Sequence, residues 1–204
     1  MPTAGARLAE AIDLVPVGEL PKGTLEALAA RLSLKLELAC HVGPSHGLPL
    51  APIPGREQLD ANALLGALEA RTTDERLLVG VAAEDIAIPV FTFVFGLARQ
   101  GGRACVVSLA RADPEFYGLP TDPVLRDERV VAEIRHELGH LATLEHCPDR
   151  SCLMSFAGSI ERADARGAEF CPSCRERLPR WLAGQDPSHP GGLGPGGFGG
   201  AKPP

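Results

Sequence analysis

Two histidines four positions apart, in the run His136-Glu137-Leu138-Gly139-His140, restrict this chain more than any other feature. On a helix such a pair shares one face, one turn apart. Both imidazoles then reach a single zinc ion, and Glu137 stands beside the metal as a general base. His146, six residues on, completes a three-ligand set with a position left for water. It does so only if the helix ends first. An unbroken helix would carry His146 about 240° around and ~9 Å further along the axis. The chain must therefore leave the helix between residues 141 and 145.

The stretch before this run predicts a sheet with helices packed on it. Residues 11–17, 36–42 and 77–82 read as strands, and residues 24–36 and 60–71 as helices, with Thr24 as N-cap of the first. Residues 91–97 and 103–109, separated by Gln100-Gly101-Gly102, read as a hairpin. The β-α-β-α-β order followed by a hairpin predicts an α/β (α+β) fold with a mixed twisted sheet. From Pro123 a helical pattern carries Val130, Ile134, Leu138 and Leu141 in one apolar stripe. His136 and His140 fall on the other side of that helix. The stripe is thus expected on the sheet, and the histidines on a cleft.

At 204 residues the chain is expected to form one compact domain, residues 1–183, with residues 184–204 as a disordered tail rich in Gly and Pro. The formal net charge is -6, and no basic run stands out, so nucleic acid is not an expected partner. No apolar run is long enough to cross a membrane. No secretory signal is visible at the start, which predicts a cytoplasmic protein. A monomer is the expected state.

In that compartment the six cysteines are not expected to form disulfides. Cys147 and Cys152, then Cys171 and Cys174, make two pairs whose four thiolates suit a closed, structural zinc site. That site would clip the segment after His146 to a C-terminal helix near residues 175–182. Cys171-Pro172-Ser173-Cys174 could alternatively be a redox dithiol, but that needs a strand before it, and residues 160–170 are charged and Ala-rich. Cys40 and Cys105 read as small buried residues on strands, and His41, His46 and His189 are given no role.

Taken together, His136-Glu137-x-x-His140-x5-His146-Cys147-x4-Cys152-x-Met154, followed by Cys171-x-x-Cys174, resembles the archaemetzincins, metzincin-type zinc metallopeptidases. The likeness runs over roughly residues 8–182 and includes Pro114-Glu115-Phe116-Tyr117-Gly118-Leu119-Pro120 and Val15-Pro16-Val17-Gly18. It implies a metzincin-like fold and two zinc ions per chain, one catalytic on His136, His140 and His146, one structural on the cysteines. It implies hydrolysis of peptide or protein substrates, in the form of an aminopeptidase, and a Met-turn at Met154 beneath the catalytic metal. It also implies that an extended substrate pairs with an edge strand, for which Arg103, Ala104, Cys105, Val106 and Val107 are the candidates.

One position departs from the pattern. Thr143 stands where the family has a glycine that makes the bend. A β-branched residue forced to positive φ there would be strained by about 1–3 kcal/mol. Either other torsions make the bend or His146 is held less well, with Glu145 as a substitute ligand. That departure motivates a second reading, a catalytically weak or inactive zinc-stabilised peptide-binding protein. A redox or metal-buffering protein is a third.

Overall fold

A computed structural model describes residues 10–45, 47–73, 75–179 and 182. Strand β1 (Ala11–Val17) is an interior strand of the sheet and is buried along almost its whole length. Helix α1 (Thr24–Lys35) follows. Gly23, at φ 84, makes the turn into it, and Thr24 is the first helical residue and buried, so Gly23 rather than Thr24 holds the N-cap position. The left-handed turn that only glycine adopts freely decides this. Strand β2 (Ala39–Val42) then pairs parallel with β1.

A short strand β3 (Leu59–Asp60) leads into helix α2 (Ala61–Glu69). The Asp60 carboxylate caps it, accepting from Asn62 N at 2.9 Å. Strand β4 (Arg76–Ala82) returns parallel to β1 along seven residues. Strand β5 (Ile86–Ala87) pairs with β3 in a separate two-stranded sheet. Strands β6 (Gly96–Ala98) and β7 (Ala104–Ser108) form the expected hairpin, although residues 91–95 are not strand.

The main sheet has the order β2-β1-β4-β7-β6, parallel except for β6. This topology corrects the substrate-strand expectation. β7 lies between β4 and β6, so Ala104, Cys105, Val106 and Val107 are interior and buried. Arg103, at its start, donates from Nε to Thr73 O at 2.7 Å. The edge on this side of the sheet belongs to β6, and β2 forms the opposite one. The physical reason is legible: β7 is apolar on both faces, the pattern of a strand covered on both sides, whereas an edge strand is short.

Alternate side chains of the sheet enter two cores. Ile12, Leu14, Leu77, Val79, Cys105 and Val107 pack with α1 and helix α3 (Pro123–Leu141) on one face. Val15, Val17, Leu78, Ala104 and Val106 pack with α2 on the other. As expected, Val130, Ile134, Leu138 and Leu141 carry α3 onto the sheet, and all four are buried. Two short helices, α4 (Ile160–Ala165) and α5 (Pro172–Arg175), complete the fold. Helix α5 ends at Arg175, and Leu182, inside the stretch expected to be helical, is again helical, while residues 180 and 181 lie outside the described residues. Residues 183–204, with the expected tail, and His46 lie outside the described residues. Among the described residues no helix is long and apolar enough to cross a membrane.

Candidate metal centre

Helix α3 ends where the spacing of the histidines demands. Ala142 is its last half-helical residue, Thr143 N donates to His140 O (2.9 Å) and Leu144 N to Gly139 O (2.9 Å). That pair of bonds is a Schellman closure, whose third residue must be left-handed. Thr143 takes that conformation itself, at φ 69, the one non-glycine residue with positive φ among those described. The turn reverses the chain and brings His146 back to the other two histidines. Their ring centroids lie 4.8, 4.9 and 5.3 Å apart. The exposed Thr143 side chain gives little packing in return for its strain. Thr143→Gly is therefore expected to stabilise the fold by about 1 kcal/mol, the strain relieved less the entropy cost of glycine. A thermal melt should show Tm rising by ~2–4 °C. An unchanged or lower Tm would mean that Thr143 is not strained.

The imidazoles are oriented from behind. His136 Nδ1 lies 2.8 Å from Leu153 O and His140 Nδ1 lies 2.7 Å from Leu144 O. A carbonyl only accepts, so each Nδ1 carries the proton and each Nε2 presents a lone pair. The two Nε2 atoms face one another at 3.2 Å. Two acceptors at that distance repel unless a cation sits between them, and tetrahedral zinc–nitrogen geometry places nitrogens about 3.3 Å apart. Burial lowers the His136 pKa to about 4 and also lowers that of His146, so both favour the neutral form that ligates a metal.

The four cysteines gather equally well. The ligand atoms of Cys147, Cys152, Cys171 and Cys174 all lie within 4.8 Å of one another, as do those of the three histidines. Cys147 and Cys171 Sγ are 3.8 Å apart, the separation that ~2.3 Å zinc–sulfur bonds give in a tetrahedron. Backbone N–H groups of Met154 and Cys171 point at Cys152 Sγ, at 3.4 and 3.3 Å. Burial pushes the Cys174 thiol up to about 12 and raises Cys152, so thiolates there require a cation. Cys171 is lowered, first by the Cys174 backbone N–H. All six cysteines are free thiols, Cys105 buried and Cys40 half-buried on their strands.

Glu137 is buried on the cleft floor beneath β6. A Cβ added at Gly96 would stand 2.7 Å from Glu137 Oε1, so only glycine allows the strand to lie that close. Met154 lies buried under the helix, where a Cβ on Gly139 would come within 2.4 Å of its Sδ. Gly139 thus lets Met154 fill the space between the two histidine turns. Burial, then the negative charge of Glu133 and a hydrogen bond that the protonated Glu137 carboxyl donates to it, hold the Glu137 carboxyl well above the usual carboxylate range, while Arg166 pulls the other way.

Arg166 and Glu133 were not singled out in the sequence. Arg166 is buried, donates from Nη2 to Glu133 Oε2 at 2.5 Å and places Nη1 3.4 Å from Ser155 O. Glu133 precedes Glu137 by one helical turn, which the sequence displays. Arg166, thirty residues beyond His136, follows no period that would mark it. Glu145, considered as a substitute ligand, lies outside the cluster of ligand atoms.

These groups open on one cleft of about 570 Å³. Residues 91–98 of the aromatic loop and β6 form one wall, and Phe156, Ala157 and Gly158 the other. The Phe156 ring stands 5.3 Å from that of His146. The volume is that of a small-molecule or short-peptide site.

Known proteins agree with this architecture. Residues 55–180 match the sequence profile of Peptidase family M54. The archaemetzincin of Methanopyrus kandleri is 45% identical over 127 residues, 62% of this chain and 69% of that protein. That of Pyrococcus furiosus is 35% identical over 175 residues, 82% of this chain and 91% of its own length. Among solved structures, a zinc-dependent peptidase from Methanocorpusculum labreanum superposes with a TM-score of 0.73 at 28% identity, covering 83% of this chain and all of that one. The archaemetzincin of Archaeoglobus fulgidus gives 0.70 at 29% identity over 82% of this chain and 99% of its own. With a profile match over more than half its length and near-full-length relatives above 30% identity, the chain belongs to the archaemetzincins, zinc metallopeptidases of family M54.

Proposed function

We propose that this zinc metallopeptidase cleaves extended peptides laid along β6, with Glu137 as its general base and two zinc ions per chain. His136, His140 and His146 hold the catalytic ion, and Cys147, Cys152, Cys171 and Cys174 a structural one. The observation that carries this reading is the pair of Nε2 lone pairs facing each other beside a buried carboxylate. Bound there, zinc supplies a Lewis acid that acidifies water and polarises the scissile carbonyl.

The chain's own residues supply the rest. Glu137 takes a proton at its carboxylate and returns it to the departing amine. Its raised affinity for a proton suits that exchange near neutral pH. Glu133, itself held by Arg166, bears on Glu137 and keeps it in place. β6 pairs with β7 on one side only, and the backbone groups on its other side are available to an extended substrate. Leu153 and Leu144 carbonyls fix the ring orientation of two ligands, an arrangement that sharpens metal binding.

Aminopeptidase action is the finer form to which the sequence resemblance points. A zinc site built on four thiolates suits a reducing compartment such as the cytoplasm. A monomer is the state carried over from the sequence reading. The peptide-binding alternative arose from Thr143, and the accommodation of that residue in the turn favours the enzyme.

The test is digestion of a mixed peptide library by zinc-replete protein, read by mass spectrometry. Cleavage that disappears on chelation and returns with zinc is expected. No cleavage by protein whose two sites are both filled would overturn the reading.

A further inference from the structure

The cleft is chemically polarised along β6. At the Val94 end it is aromatic. Phe93 and Phe95 meet edge to face at 5.2 Å, and the Arg111 guanidinium lies 3.8 Å over the Phe93 ring. That cation is already neutralised by a bidentate pair with Asp85, at 2.8 and 2.7 Å. No carboxylate lines the cleft at this end among the described residues, and the Arg56 guanidinium, which donates to the Phe91 and Thr92 carbonyls, adds positive charge there.

The other end is acidic. Gly101 N donates to His140 O at 3.2 Å and Gln100 Nε2 to Leu144 O at 3.4 Å, which seats the bend after α3 against the loop that follows β6. The next residue, Glu145, lines the cleft there and is exposed. Among the described residues its carboxylate makes neither an ion pair nor a hydrogen bond. Of the other two carboxylates in the cleft, Glu133 is paired with Arg166 and Glu137 is committed to the chemistry. Glu145 alone has its charge unspent.

Its position can be counted. Glu137 lies against Gly96, so the reacting bond sits at that level of β6. β6 runs two residues past Gly96, to Ala98, at ~3.3 Å per residue before the chain turns at Gln100, which puts the Gln100 and Glu145 end about two to three residues along. Antiparallel pairing is the more stable sense and sets the amino-terminal side of a substrate at that end.

We propose that Glu145 is a specificity-determining residue that binds an ammonium group on the amino-terminal side of the scissile bond. The inference rests on the reading of β6 as the substrate strand. Two sources share this chemistry: a free α-amino terminus and a lysine side chain near it. The first yields an exopeptidase that removes about two or three residues from the amino terminus, and the second an endopeptidase with a basic preference.

Paired peptides separate them. One pair differs only in acetylation of the amino terminus. The other is acetylated throughout and carries Lys or norleucine two residues before the cleaved bond. Zinc-loaded wild type is expected to favour the cationic member of one pair by about three- to fivefold in kcat/KM, the scale of an exposed ion pair. In Glu145→Gln the ratio falls to about one, and in Glu145→Lys it inverts. The preference also shrinks as salt rises, which a structural role would not produce. Equal rates within both pairs, or a preference that survives Glu145→Gln, would overturn the proposal. Should the zinc-replete protein cleave none of these peptides, the enzyme reading fails separately. The same pairs then test Glu145 through binding to zinc-loaded Glu137→Gln by fluorescence anisotropy. The cationic preference and its loss in the Glu137→Gln/Glu145→Gln double variant support the assignment, and equal affinities overturn it.

Discussion

Glu137→Gln will abolish peptide hydrolysis, lowering kcat by about 10²–10⁴-fold while both zinc ions stay bound. The change keeps the shape of the side chain and removes its capacity to accept and return a proton. No neighbour replaces it. Glu133 is the nearest carboxylate, but Arg166 holds it at 2.5 Å. The glutamine amide still reaches Glu133, and the close passage under Gly96 is preserved.

The same variant has a stability signature with a definite sign. Burial and Glu133 raise the Glu137 pKa in the folded protein above its unfolded value. Below the unfolded pKa the carboxyl is protonated in both states and costs nothing. As pH rises the unfolded chain ionises first, and the metal-free fold loses stability until the folded pKa is passed. Metal-free Glu137→Gln should therefore melt above wild type at pH 7, and the gap should close near pH ~4. Steady-state kinetics, zinc analysis and melts of the chelated proteins check all three points. Activity within tenfold of wild type, or loss of zinc from the variant, would remove Glu137 from its role.

The sequence made the site legible because metal chemistry is written in short range. His136 and His140 define one helical face by themselves, and the stripe of Val130, Ile134, Leu138 and Leu141 says which face meets the sheet. The position of Thr143 was also readable, since His146 cannot return to the cluster along a continuing helix. The choice of edge strand was less so. β6 holds only three residues in a stretch that looks strand-like from 91 onward, whereas the stronger β7 pattern draws attention precisely because it is buried on both faces. Arg166 was invisible for a different reason. Its partners Glu133 and Ser155 are set by how the loop from 147 to 170 folds back, and that loop has no periodicity to read. On the reading proposed above, the four-cysteine site is what organises it.

Cys152→Ser should accordingly have the largest effect on stability. The segment from 142 to 179 contains helices of only six and four residues, too short to persist unaided. Its order depends on Cys147, Cys152, Cys171 and Cys174 meeting at one point. Three thiolates and a hydroxyl hold zinc poorly, and loss of a structural metal belongs among the few changes that cost more than about 4–5 kcal/mol. The loss spreads to the other metal. Leu153 O orients His136, and Cys147 directly follows His146 and bonds through its N–H to Met154 O at 2.9 Å. With these supports released, affinity at the three histidines should fall by about 10–100-fold. Wild type should give up one zinc to a mild chelator and keep the second until it unfolds. Cys152→Ser should retain at most one weakly held ion and melt far below wild type. Cys40→Ser, half-buried on β2 and remote from both clusters, supplies the control and should shift stability by no more than about 1 kcal/mol. A Cys152→Ser protein that keeps two zinc ions and melts within a few degrees of wild type would show that the cysteines do not clip the loop, and the support they lend to His136 and His146 would have to come from packing alone.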